Sequence, residues 1–122
     1  MAKARRELNK LLTREEILDC QDLKIERLDV PEWGGYVYVR SMTASERDAW
    51  EGRLIESKNK VPEMRSMLAS ELVCDENGKG VFTPDDLQAL GRKSGAALDR
   101  VFDKVQQLNK VSEKDLEELA GN

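Results

Sequence analysis

Histidine is absent from this 122-residue chain. That removes the commonest general base, the Ser-His and Cys-His nucleophile pairs, and the commonest transition-metal ligand. Cysteine is scarce: Cys20 and Cys74 lie far apart, each among acidic residues. In a reducing compartment both are expected as free thiols packed as small hydrophobes. Acidic surroundings raise a thiol pKa, so neither is expected to act as a nucleophile. No run approaches the ~20 apolar residues of a membrane span. The amino end has no apolar segment after its charges, so no signal peptide, no membrane partner and a cytoplasmic setting are expected. A basic surplus is missing as well: the net charge is −4 and the isoelectric point is about 5.0. Nucleic-acid-binding domains usually carry a basic stripe, so no nucleic-acid partner is expected. Lys3, Arg5, Arg6 and Lys10 read as a solvated, frayed terminus.

What is present is a chain with 36% charged and 39% hydrophobic residues. Its length suits one domain that buries roughly two-thirds of its unfolded surface. Residues 1–12 are expected to form a flexible segment and residues 13–122 a single domain. The fold class read from the pattern is α+β, mainly helical, with one N-terminal β-hairpin.

The helix starts are the clearest local signals. Thr13 with Glu16, and Thr43 with Glu46, are capping boxes in which hydroxyl and carboxylate satisfy each other's backbone amides. Leu12 and Ile17 stand at the spacing of a hydrophobic staple around the first box, and a short helix should run from Arg14 to Cys20 or Asp22. Residues 24–30 read as a strand, but Leu23 and Ile25 share one phase and Leu28 and Val30 the other. A bulge near Glu26 and Arg27, or pairing that begins only at Leu28, would explain the slip. Pro31, Gly34 and Gly35 mark a turn, and Tyr36, Val37, Tyr38, Val39 and Arg40 a second strand. A hairpin alone is barely stable in water, so it must pack on a helix.

The helix after Thr43 is expected to place Ala49, Trp50, Leu54 and Ile55 on one side and to end near Ser57. Pro62 suits a first helical position. Met64, Met67, Leu68 and Leu72 follow helical spacing, with Glu71 an interruption. Asp75, Asn77 and Gly78 form a turn, and Val81 with Phe82 a short extended piece. Thr83, Pro84 and the acids after them start another helix, with Phe82 and Leu87 as a staple and Gly91 as its stop. Ser94 caps the strongest helix, whose Leu98, Val101, Phe102, Val105 and Leu108 recur at three- and four-residue steps. Val111, Ser112 and Leu116 repeat the cap pattern before a short last helix with Leu119.

Few residues invite chemistry. Read as a calcium loop, residues 75–86 put Asp75 and Asn77 at the first and third ligand positions, Gly80 at the sharp turn and Asp86 at the last. Lys79 occupies the fifth position, where its ammonium repels a cation, and Asp86 replaces the long bidentate glutamate. A connector between helices is the simpler reading, with a calcium-responsive protein-binding module as the alternative. The acidic pairs Glu15 and Glu16, Asp85 and Asp86, and Glu117 and Glu118 fall in first turns or on polar faces, where dipole complementarity explains them. Gly91, Arg92, Lys93 and Ser94 lack the glycine spacing of a phosphate loop. No catalytic residue, metal ligand or cofactor is assigned. Two sets of residues invite protein contact. Trp33, Tyr36 and Tyr38 either form an exposed aromatic docking face or cover the helices beneath. Met64 and Met67 are flexible side chains of the kind used at permissive binding surfaces, or ordinary core.

Several stretches, taken together, resemble siphophage tail assembly chaperones. These are Leu12-Thr13-Arg14-Glu15-Glu16-Ile17-Leu18; Val30-Pro31-Glu32-Trp33-Gly34-Gly35; Ser45-Glu46-Arg47-Asp48-Ala49-Trp50; and Lys93-Ser94-Gly95-Ala96-Ala97-Leu98-Asp99-Arg100-Val101-Phe102. Leu108-Asn109 and Ser112-Glu113 follow in the same order. The resemblance implies a non-enzymatic assembly factor of the host cytoplasm, absent from the mature virion. Its implied partners are a tape measure protein, kept soluble, and tail tube subunits recruited around it, with self-association possible. In many such proteins a translational frameshift appends a second domain to a fraction of the product, and a chain ending at Asn122 would suit the shorter form. The resemblance supplies no active residues.

Overall fold

The computed structural model describes residues 8–57 and 63–110. In chain order its elements are α1 (Arg14–Asp19), β1 (Ile25–Val30), a 3-10 turn (Pro31–Trp33) and β2 (Gly35–Arg40). There follow α2 (Ala44–Ser57), α3 (Met64–Leu72), β3 (Val73–Cys74), a second 3-10 turn (Pro84–Asp86), α4 (Leu87–Gly91) and α5 (Gly95–Asn109). This is the α+β, mainly helical architecture with an N-terminal hairpin read from the sequence. The expectations for residues 1–7, the loop before Pro62, Pro62 itself and the last helix with Leu116 and Leu119 lie outside the described residues.

β1 and β2 pair antiparallel in one unbroken register, from Ile25 opposite Arg40 to Val30 opposite Gly35. Neither the bulge at Glu26 and Arg27 nor the late start at Leu28 occurs. Leu23 precedes the strand, and Ile25 simply faces outward while Leu28 and Val30 face the helices, so the slip in phase marks the strand's entry. Between the strands, Pro31 opens a 3-10 turn and Gly34 closes it at φ 76, its amide donating to the Pro31 carbonyl at 3.0 Å. The left-handed backbone there suits glycine. A third strand, not anticipated from the sequence, joins the other side of β2: Tyr38 faces Cys74 and Val39 faces Val73.

The core lies between the inner face of this sheet and α3, α4 and α5. Val30 and Val39 are fully buried, and α5 presents Ala97, Leu98, Val101, Phe102, Val105 and Leu108 to it, the stripe read from the sequence. Ser94 starts α5 by accepting from the Ala97 amide at 3.3 Å. On α3, Leu68, Ala69 and Leu72 are buried, and the small Ser66 and Ser70 on the same helix are buried beside them. Glu71, an apparent interruption in that pattern, pairs with Arg53 of α2 at 2.8 Å.

α2 buries Trp50 and Leu54, whereas Ala49 and Ile55 are exposed, contrary to the expected grouping. Residues 47, 50, 51 and 54 form one face of a helix, and 49 and 55 fall on either side of it. Arg47 uses that face to reach the Asn109 carbonyl at 2.9 Å, where a cation also suits the C-terminal end of α5. The Asn109 side chain accepts from the Met42 amide and donates to the Val105 carbonyl, both at 2.9 Å, fixing the approach to α2. The staple around α1 differs too: Leu12 and Ile17 are both more than half exposed, and α1 buries nothing. Its capping box is nevertheless complete, with the Glu16 amide donating to Thr13 Oγ1 at 3.2 Å and Thr13 N to Glu16 Oε1 at 3.0 Å.

One polar junction joins three elements. The Arg40 guanidinium at the end of β2 donates to both Glu46 carboxylate oxygens at 2.7 Å, to the Ser41 carbonyl at 3.1 Å and to the Glu71 carbonyl of α3 at 3.4 Å. Glu46 also caps α2: its Oε1 accepts from the Thr43 amide at 2.9 Å while its own amide donates to Thr43 Oγ1 at 3.1 Å. The Arg40 guanidinium, aided by the Thr43 amide, pulls the Glu46 carboxyl from an ordinary 4.5 down to about 2. A depressed folded-state pKa stabilises the fold above the unfolded value, and that contribution is lost as pH falls through the folded one. Glu46→Gln should therefore lower urea-derived stability at pH 7 by roughly 1–2 kcal/mol, with solvent screening of the partly exposed carboxylate taken into account. The gap between wild type and variant should close between about pH 4.5 and about pH 2, and a gap that is the same across that window contradicts the assignment.

Candidate functional site

Strand alternation gives the sheet two chemically different faces. Leu28, Val30, Val37 and Val39 meet the helices, whereas Arg27, Asp29, Tyr36 and Tyr38 lie on the outer side. There the Tyr36 and Tyr38 rings meet edge to face at 5.7 Å, and the Arg27 guanidinium sits 3.8 Å above the Tyr36 ring. Arg27 is held in turn by Asp29 at 3.0 Å. Tyr36 is half exposed, so the outer face shows aromatic surface to solvent at this end of the hairpin.

The structure does not place Trp33 on that face. The 3-10 turn rotates it out of the strand alternation and onto the helical side, where it packs half-buried against the core. The expected three-residue aromatic surface is therefore split. Trp33 instead lines a recess of about 320 Å³ with Phe82, Leu90 and Lys93. Met64 and Met67 are half-buried and pack against the core cluster. Met67 also lines a second recess of about 230 Å³ with Arg53, Ser70, Glu71, Pro84 and Leu87. A third, more open hollow of about 570 Å³ runs between β1 and α5, lined by Leu28, Arg100, Asp103, Lys104 and Gln107. The ion pairs of Arg100 with Glu32 at 2.8 Å and Lys104 with Glu26 at 3.2 Å tie α5 to the hairpin. Arg100 holds the Glu32 carboxyl below the usual carboxylate range.

Apolar surface is also displayed by the amino-terminal arm. Leu8, Leu11, Leu12, Ile17, Leu18 and Leu23 are all exposed. Neither this arm nor the recess at Trp33 was identified from the sequence. Leu12 and Ile17 of the arm read as a staple, and the recess gathers residues from four separate segments.

Within residues 75–86, Asp75 to Lys79 close as a hairpin turn between Cys74 and Gly80, and Pro84–Asp86 form the second 3-10 turn. Asp75 Oδ1 accepts from the Asn77 amide at 2.8 Å and the Lys79 amide at 3.0 Å, and the Asp75 amide donates to the Lys79 carbonyl at 2.8 Å. Gly78 sits at φ 87 with Ile25 Cδ1 3.1 Å from where a Cβ would stand, so both backbone and space favour glycine. Asp86 is used elsewhere, accepting from the Thr83 amide at 2.9 Å. Among the described residues no group of three His, Cys, Asp or Glu side chains gathers as metal ligands would. Cys74 is buried, and that burial raises its thiol pKa, whereas Cys20 is exposed rather than packed as the sequence suggested. What these surfaces offer is contact: two apolar recesses, an aromatic sheet face and an apolar arm.

No protein-family model matches the chain, and no curated protein matches it. Among solved structures the chain is similar to the tail assembly chaperone of bacteriophage HK97, at a TM-score of 0.57 and 20% identity. The match covers 93% of this chain and 100% of that one. The likeness is one of fold.

The hairpin role assigned to Asp75 gives a direct test. Asp75→Ala should cost about 1–2 kcal/mol in urea denaturation, because two amides lose their acceptor. Asp75→Asn, which keeps one oxygen, should cost less than half as much. Millimolar calcium should leave the wild-type midpoint unmoved; a calcium-dependent rise lost in Asp75→Asn would make the segment an ion-binding loop instead.

Proposed function

We propose that this protein is a phage tail assembly chaperone. On this reading it acts without catalysis, by protein–protein contact, in the cytoplasm of the host cell. It keeps a tape measure protein soluble and helps recruit tail tube subunits during assembly, and it is absent from the mature virion. The observation that carries the reading is the extent of the fold likeness, which takes in the whole of the HK97 chaperone chain and nearly all of this one. A match confined to one hairpin or helix pair would carry no such weight, since small motifs recur across unrelated functions.

The physical chemistry is compatible. A chaperone for a long, partly helical client needs a soluble body and apolar surface that can change partners. The net charge of −4 favours the first. The exposed leucines of the arm, the half-exposed Tyr36 and the recesses at Trp33 and Met67 supply the second. The absence of histidine from the whole chain removes the usual acid–base and nucleophile pairs. The calcium-module reading finds no support in the geometry, since Asp75 and Asp86 each cap their own backbone.

Co-expression with the tape measure protein of the same phage is the direct test. The client should move from the insoluble to the soluble fraction and co-purify with this protein. A client that stays equally insoluble, with nothing recovered by pull-down, contradicts the proposal.

A further inference from the structure

The recess beneath Trp33 is built unlike the hollow at Leu28 and the recess at Met67. Its walls are Trp33 and Phe82, both half-buried, and the buried Leu90, with Lys93 as the polar lining residue. Apolar walls with one placed polar group are the usual make-up of a binding pocket, and about 320 Å³ lies near the lower end of the ~300–1,000 Å³ range for such sites. The hollow at Leu28 is otherwise lined by charged and amide side chains, and the recess at Met67, though walled also by Pro84 and Leu87, holds an Arg and a Glu that already pair with each other.

Lys93 lines the recess, and Arg92 is its neighbour in the chain. Arg92 and Lys93 are adjacent and exposed, and neither has a carboxylate partner among the described residues, whereas Arg100 on α5 is satisfied by Glu32. Both stand just before Ser94, at the amino-terminal end of the 15-residue α5, where the aligned peptide dipoles add further positive potential. In a chain of net charge −4, Lys93 thus sets a cation beside an apolar hole, with Arg92 next to it in sequence.

We propose that this pocket docks an acidic amphipathic helix of the client, burying one bulky apolar side chain against Trp33, Phe82 and Leu90 while flanking Asp or Glu residues meet Arg92 and Lys93. The inference rests on the chaperone reading only for calling the partner a client. The pattern is helix-in-groove recognition, with an apolar anchor for affinity and rim charges for orientation and choice of partner.

The test uses the full chain and two fluorescein-labelled amphipathic peptides of equal helicity, one built of Leu, Ala and Glu and the other of Leu, Ala and Lys. Wild type should bind the Glu peptide at least about tenfold more tightly than the Lys peptide. The double variant Arg92→Glu with Lys93→Glu changes only exposed side chains and should invert that preference. Phe82→Ala should weaken both peptides; if it fails to fold by circular dichroism, the charge variant alone decides. Equal binding of the two peptides by wild type, or a charge variant that behaves as wild type, overturns the proposal. So does a concentration-dependent gain in mass of the protein alone that the charge reversal abolishes without any peptide binding, because the pocket would then serve a second copy. Co-expression with the tape measure protein separates the two readings. A charge variant that still keeps the client soluble defeats the pocket and leaves the chaperone role intact, whereas a wild type that does not defeats the role.

Discussion

The Arg40 guanidinium joins the end of the sheet to α2 and α3. Its donors are spent on the Glu46 carboxylate, on the Ser41 carbonyl and on the Glu71 carbonyl of α3. Bidentate pairing of this kind fixes direction as well as distance. Because Glu46 is also the capping residue of α2, one carboxylate sets where that helix begins and how it leaves the sheet. α2 has little else to hold it: Trp50 and Leu54 in the core, Arg47 on the end of α5, and Arg53 on Glu71.

That economy leaves apolar surface free for other use. The core is supplied mainly by α3, α5 and the inner face of the sheet, so side chains elsewhere need not be buried for the fold to stand. The arm with Leu8, Leu11 and Leu18, the outer sheet face with Tyr36, and the recess at Trp33 all lie outside the packed centre. Many polar groups close turns and helix ends, as at Thr13, Thr43 and Asp75, and the recess at Trp33 is walled mainly by apolar side chains.

Much of this was legible because it is local. The caps at Thr13, Thr43 and Ser94 involve residues three positions apart, and the α5 stripe follows from helical periodicity alone. The misreadings were tertiary. Alternation could not be carried from Trp33 to Tyr36 across a 3-10 turn, and Leu23 suggested a bulge only because the strand begins after it. β3 escaped notice because Val73 and Cys74 extend the apolar run of α3 and only pairing with Tyr38 and Val39 makes them a strand. The pocket at Trp33 joins a turn, an extended segment, α4 and the residue before Ser94, a convergence that no periodicity encodes.

The central claim, that the Arg40–Glu46 pair couples the sheet to α2, is tested most directly by a double-mutant cycle. Arg40→Met, Glu46→Gln and the double variant would be compared with wild type by urea denaturation at pH 7. The account predicts a coupling energy of about 1–2 kcal/mol, within the range found for residues sharing one network. Additive effects, with a coupling near zero, would contradict it and leave α2 held by Trp50, Leu54 and the contacts of Arg47 and Arg53.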